Sequence, residues 1–274
     1  MRLNDFDAVL FDLDGTLYHE GVALPGADDA LRRLQRAGLR TACITNASAR
    51  TSEQLSQTLA DMGIDVPSEA IYSSGQAAVD WMLETWEHPR VYNFGGAAIA
   101  TMLEGKATLV TSDDQPCDVV FVGTHTRVEG VPFNMDRALV GLAHLRRGAH
   151  LALGCADRVF PIAGGGVEFG SGALGALFIY AANLPEERIF RAGKPGAAFF
   201  EHLCARLKVT PRRCLLVGDN LESDIAGGKR LGMTCALVLT GVTSRAEAQA
   251  ADVDLVVEDL TALINLFDEQ DAAR

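Results

Sequence analysis

Hydrophobic positions along the chain alternate between short unbroken runs and helical spacing. Ala8-Val9-Leu10-Phe11 is unbroken, as expected of a parallel strand buried on both faces. Ala27, Ala30, Leu31, Leu34 and Ala37 then recur at helical spacing, and Gly38 follows as a stop signal. Leu39 to Ile44 reads as a second strand. Thr51-Ser52-Glu53-Gln54 has capping-box spacing for a helix reaching about Met62. The far end repeats the rhythm: strands at 214–217, 235–239 and 255–257, with helices at 222–231 and 261–267. The middle alternates too, with strands at 119–122 and 151–153 and a helix at 137–147. This order predicts the α/β class with a doubly wound parallel sheet. Periodicity alone does not say whether the middle is a second domain.

Composition narrows the class. A chain of 274 residues, 48% hydrophobic, suffices for one large domain or two of ordinary size. Its 24 basic and 36 acidic residues give a formal charge of -12. Such acidity argues against nucleic acid as a partner, and no polybasic patch suits a membrane surface. The first apolar run is broken by Asp7 and Asp12, so it is no signal peptide, and cytoplasm is the expected location. The six cysteines are scattered without a Cys-x-x-Cys pair. They read as reduced, buried residues rather than disulfides or a zinc site.

In open parallel sheets, function collects beyond the carboxyl ends of strands. After the first strand comes Asp12-Leu13-Asp14-Gly15-Thr16-Leu17, and after the second Thr45-Asn46. Strand 214–217 leads into Gly218-Asp219-Asn220-Leu221-Glu222-Ser223-Asp224, and Lys194 lies just after Ile189-Phe190. If one sheet carries these strands, all four groups face one cleft. Asp12 and Asp14, two apart in extended chain, point to the same side, and Asp219 and Asp224 add two more acids. Four carboxylates so close need a counter-charge. A hard divalent cation such as Mg²⁺ supplies it. The Thr45 hydroxyl with free N–H groups near a helix start suits an anion, and Lys194 adds a positive charge. Singly, these features also read as a turn, a helix cap and a solvated lysine; the combination points to phosphate. Gly170-Ser171-Gly172-Ala173-Leu174-Gly175 fits a dinucleotide pattern but lies late in the chain. It reads instead as a Gly-rich turn opening a helix. His19, His125 and His202 are isolated and found no triad.

Together, Asp12-Leu-Asp-Gly-Thr-Leu, Thr45-Asn46, Lys194-Pro195 and Gly218-Asp219-Asn220-Leu221-x-x-Asp224 resemble the four motifs of haloacid dehalogenase (HAD) superfamily phosphatases. Leu17-Tyr18-x-x-Gly21, Leu24-Pro25-Gly26-Ala27 and Leu239-Thr240-Gly241-Val242 are similar to the class IIA NagD-like, p-nitrophenylphosphatase branch. The resemblance implies a Rossmann-like core at 1–79 and 187–274, with an inserted α/β cap at 80–186. It implies a Mg²⁺-dependent phosphatase acting on a small phosphorylated metabolite through an aspartyl-phosphate. Asp12 would be the nucleophile and Asp14 the general acid, then base. Thr45, Asn46 and Lys194 would hold the phosphoryl group. The metal would sit on Asp12, Asp219 and the backbone of Asp14, with Asp224 inner or outer. A homodimer through the cap is also expected.

The chain departs from the branch at Ala47, at Gly196-Ala197, and at Gly154-Cys155-Ala156-Asp157, where only the Asp of a Thr-Asn-Pro-Asp turn remains. Asp157 and Arg158 in that loop are candidates for reading the leaving group. A phosphotransferase or mutase of the same superfamily is the alternative activity. A phospho-acceptor receiver module fits poorly, since receivers are about half this length and lack a cap.

Overall fold

A computed structural model describes residues 2–125, 132–162 and 166–272. The chain divides into two compact units: Met1–Thr45 with Ser52–Tyr72 and Lys194–Arg274, and Asn46–Thr51 with Ser73–Gly193.

The first unit is built on a six-stranded sheet. Its spatial order is Leu255–Val257, Thr234–Val238, Cys214–Gly218, Ala8–Asp12, Arg40–Thr45 and Ile71–Ser73. Ala8–Asp12 pairs in parallel with Cys214–Gly218 on one side and Arg40–Thr45 on the other. Every residue of Ala8–Asp12 and Cys214–Gly218 is buried, which is why both read as unbroken apolar runs. From Ala8–Asp12 the early strands lead one way and the late strands the other, so the strand order reverses beside it. Helices Ala27–Arg36 and Leu260–Ala272 pack beside each other on this unit. Leu31, Leu34, Leu263 and Phe267 are buried there with Phe11, Leu215 and Val217. Each such side chain contributes about 1.5–3 kcal/mol by leaving water.

The second unit has its own parallel sheet, ordered Ile189–Arg191, His150–Leu153, Val119–Val122, Arg90–Phe94 and Thr108–Val110. Phe94, Val120, Val122, Leu151 and Phe178 form part of its core. An antiparallel hairpin, Val159–Pro161 with Val167–Phe169, precedes helix Ser171–Ala182. The α/β class with parallel sheets is thus the observed architecture.

Two differences from the sequence reading matter for the site. Ile189–Arg191 pairs with His150–Leu153 in the second sheet, so Lys194 does not leave a strand of the first. The expected helix at 222–231 begins with a widened turn, Leu221–Ile225, before the α-helical Ala226–Arg230. Asn220 opens that turn. Its Oδ1 accepts from the N–H groups of Glu222 and Ser223 at 2.8 and 3.2 Å, and its carbonyl accepts from Ile225 N–H at 3.2 Å. Such five-residue turns are frequent at functional sites.

All six cysteines are free, and five of them are buried. Among the described residues, no helix is long and apolar enough to cross a membrane.

Candidate active site

Asp12 ends strand Ala8–Asp12, and Asp219 follows strand Cys214–Gly218 directly. These adjacent strands flank the point where strand order reverses, the place where open α/β sheets bind ligands. Asp224 comes from the widened turn behind Asp219. Oxygens of Asp12, Asp219 and Asp224 lie within 4.8 Å of one another, and all three residues are buried. Lys194, equally buried, donates from Nζ to Asp12 Oδ1 at 2.5 Å and to Asp224 Oδ1 at 2.7 Å.

The electrostatics follow from this crowding. Burial pushes the Asp12 carboxyl up to about 6, with Lys194 opposing and Asp219 adding to the rise. Burial and the neighbouring Asp224 push Asp219 up to about 6. Asp224 rises to about 7 through burial, with Lys194 opposing and Asp12 reinforcing. Burial works against the charge of Lys194, yet Asp12 and Asp224 together keep its ammonium raised above the usual range. Three carboxylates against one ammonium leave the ionised cluster short of positive charge. Hard, buried oxygen donors at this separation fit a divalent cation such as Mg²⁺.

Asp14 requires a correction. The expected convergence of four acids does not occur, because the strand ends at Asp12 and Leu13 already bends. The alternation that would aim residues two apart to one side therefore stops before Asp14. Its side chain is 62% exposed, with Oδ1 3.3 Å from His19 Nδ1. Among the described residues, the acidic group that could hold a cation comprises Asp12, Asp219 and Asp224.

Thr45 is buried at the end of Arg40–Thr45, one residue beyond Ile44, which pairs with Asp12. Asn46 follows it in the chain and belongs to the second unit. Its Nδ2 donates to Asp157 Oδ2 at 3.0 Å, and its carbonyl accepts from Ser74 Oγ at 2.9 Å, all within the second unit. Arg158, next to Asp157, is exposed. The loop carrying both is seated on the Gly-rich turn. Cys155 N–H donates to Ser171 Oγ at 2.9 Å, and Gly172 and Gly170 N–H groups donate to the carbonyls of Asp157 and Arg158. A Cβ at Gly170 would fall 2.1 Å from the Asp157 carbonyl oxygen, and one at Gly172 would fall 2.3 Å from that of Ala156. Two of the three dinucleotide-like glycines, Gly170 and Gly172, therefore serve this close approach, and the third, Gly175, lies against the Leu153 side chain.

Sequence reasoning missed the backbone donors. Val242 N–H donates to Asp219 Oδ2 at 2.7 Å, and Asn220 N–H to Asp224 Oδ2 at 3.2 Å. An amide N–H carries no residue-type signature; only Asn220, as a capping side chain before an acidic turn, offered a clue.

The chain matches the haloacid dehalogenase-like hydrolase family over residues 9–107 and the HAD-hydrolase-like family over residues 191–263. It is 32% identical to chronophin of Mus musculus over 258 residues, spanning 90% of this chain and 86% of that protein. It is 30% identical to ribonucleotide monophosphatase NagD of Escherichia coli, spanning 86% and 88% of the two chains. The 4-nitrophenylphosphatase of Thermotoga maritima superposes with a TM-score of 0.86 at 25% identity, covering 97% of this chain and 98% of that one. Strand order, buried acids and these relatives agree: the chain belongs to the HAD-like hydrolases, as a phosphatase of the class IIA NagD-like, p-nitrophenylphosphatase branch.

Proposed function

We propose that the chain is a Mg²⁺-dependent phosphatase that hydrolyses a small phosphorylated metabolite through an aspartyl-phosphate on Asp12. The observation that carries this reading is the buried cluster of Asp12, Asp219 and Asp224 with Lys194, beside the strand-order reversal. In the first step Asp12 attacks phosphorus, the bond to the ester oxygen breaks, and Asp14 gives the leaving oxygen a proton. In the second, water attacks the same phosphorus while Asp14 takes its proton; the bond to Asp12 breaks and phosphate leaves. Splitting hydrolysis this way replaces one hard step with two easier ones. The Asp14 side chain is exposed beside His19, open to water as a group that passes a proton between water and leaving group must be. Thr45, Asn46 and Lys194 hold the phosphoryl group in this reading.

Asp12, Asp219 and the backbone carbonyl of Asp14 would hold the cation. Asp224 has one oxygen on Lys194 and the other on Asn220 N–H, which favours an outer position that fixes the lysine. Bound Mg²⁺ supplies the positive charge that offsets these carboxylates and the phosphoryl oxygens.

The first compact unit would be the catalytic core and the second the cap. The cytoplasm is the proposed location. Phosphate release from a panel of sugar phosphates, nucleotides and similar esters, with Mg²⁺, tests the activity. NagD is by name a ribonucleotide monophosphatase, so nucleoside monophosphates belong on that panel. No release from any ester would reject the reading.

Specificity is assigned to the loop with Asp157 and Arg158. Replacing both with Ala should reorder the panel by kcat/KM while leaving the Mg²⁺ requirement in place. A uniform fall across substrates, or no change, would mean that this loop does not read the leaving group.

The second unit also carries the proposed dimer face. Helix Ser171–Ala182 is apolar nearly all round, a pattern expected of a buried helix. Yet Tyr180 is 90% exposed and Leu177 51%, and the hairpin beside it exposes Phe169 and Val167. Met135 and Leu139 of helix Met135–Arg146, which packs against this helix, are exposed as well, and a stable interface takes about 800 Å² from each partner. A second copy of the chain is the proposed occupant. Light scattering at micromolar concentration should give twice the chain mass, and L177D/Y180D the chain mass itself. A wild-type monomer throughout that range would reject the dimer.

A further inference from the structure

One loop outside the four motifs touches two of them. Strand Thr234–Val238 runs on into residues 239–243, all within the first unit. There Thr240 Oγ1 donates to the Gly15 carbonyl at 2.6 Å. Val242 N–H donates to Asp219 Oδ2 at 2.7 Å, and Thr243 N–H to the Asp219 carbonyl at 3.3 Å. The packing has no slack. Gly15 has φ +82°, and a Cβ there would fall 2.5 Å from Asp219 Oδ2; a Cβ at Gly241 would fall 1.9 Å from the same oxygen. The segment after Asp12, the Asp219 side chain and residues 240–243 are thus in mutual contact.

This contact has a chemical consequence. A buried carboxylate free to rotate would present either oxygen, or both, to a cation. The Val242 N–H occupies Oδ2 and so fixes which oxygen remains. That N–H stays aimed only while its loop stays docked. The Thr240 hydroxyl is the side-chain bond that ties the loop to the Gly15 carbonyl, one residue from Asp14.

We propose that Thr240 is a positioning residue for the cation site: its hydroxyl locks residues 240–243 onto the Asp12–Gly15 segment, so that Val242 N–H orients Asp219. In this role Thr240 depends on the cation reading of Asp12, Asp219 and Asp224. Outer hydrogen-bond partners of metal ligands typically change affinity 10–100-fold, and an effect near the lower end is expected for a residue acting through a loop.

The test compares Thr240→Val, which keeps the shape and loses the hydroxyl, with Thr240→Ser, which keeps the hydroxyl. Binding of Mg²⁺ alone is measured by calorimetry, substrate kinetics at saturating Mg²⁺, and thermal unfolding without Mg²⁺. Thr240→Val should raise the Mg²⁺ Kd about tenfold with KM and metal-free unfolding little changed, and Thr240→Ser should stay near wild type. If the Val variant does not fold, Thr240→Ala takes its place with the same expectation. Wild-type Mg²⁺ affinity in the Val variant would overturn the role of Thr240 and leave the cation reading standing. Equal losses in the Val and Ser variants, with a matching fall in metal-free stability, would make the contact merely structural and overturn it too. No Mg²⁺ binding by the wild-type protein would instead overturn the cation reading itself.

Discussion

Asp12→Asn is expected to lose turnover by at least about a thousandfold, roughly 4 kcal/mol in barrier. An amide of the same shape cannot attack phosphorus as a carboxylate does. The fold should survive the change. Asp12 is one of three buried acids sharing a single ammonium, and Lys194 would keep Asp224 as its partner. Removing one negative charge from a cluster with too many relieves repulsion rather than creating an unpaired charge. Thermal unfolding therefore checks that lost turnover is not lost structure. A variant retaining more than about a tenth of wild-type kcat, a barrier change under about 1.4 kcal/mol, would contradict the assignment of Asp12.

Removal of Mg²⁺ should have the next largest effect. Phosphate release in excess chelator should fall about a hundredfold or more and return when Mg²⁺ is added beyond the chelator. Phosphoryl transfer asks mainly for positioning and charge neutralisation, and one lysine does not neutralise three carboxylates and a phosphate. Asp219→Ala should raise the Mg²⁺ concentration for half-maximal activity at least about tenfold, since it removes one of the few carboxylates on which such an ion relies. Asp219 also fills the space against Gly15 and Gly241, so Asp219→Asn separates loss of charge from loss of packing. Full activity in excess chelator would exclude a metal-dependent reaction.

The strand ends were legible in the sequence for a physical reason. A strand buried on both faces is an apolar run, so a carboxylate at its end stands out, as Asp12 and Asp219 do. Asp14 was misplaced because the strand stops one residue earlier than strict alternation assumes. The sheet that takes Ile189–Arg191 was hidden, because a three-residue strand with only two apolar positions, Ile189 and Phe190, fits either sheet. The reading also left Ser74–Thr85, Arg90–Phe94 and Ala197–Leu207 unassigned. Arg90–Phe94 and its sheet neighbour Thr108–Val110 are short strands without clear alternation. The bond from Asn46 to Asp157 joins residues 111 apart, beyond the reach of any local pattern. The Val242 donor is a backbone N–H, which every residue but proline possesses.

The aspartyl-phosphate is the step on which the proposed chemistry turns, and it can be trapped directly. The enzyme is mixed with excess substrate and Mg²⁺, quenched within its turnover time, and treated with borohydride, which reduces an acyl phosphate but spares a free carboxylate. Peptide mass spectrometry then reads which acid was phosphorylated. Reduction at residue 12, absent when substrate is omitted and absent in Asp12→Asn, is the predicted result. Rapid phosphate release with Asp12 unmodified, or with the reduction at another residue, would contradict it.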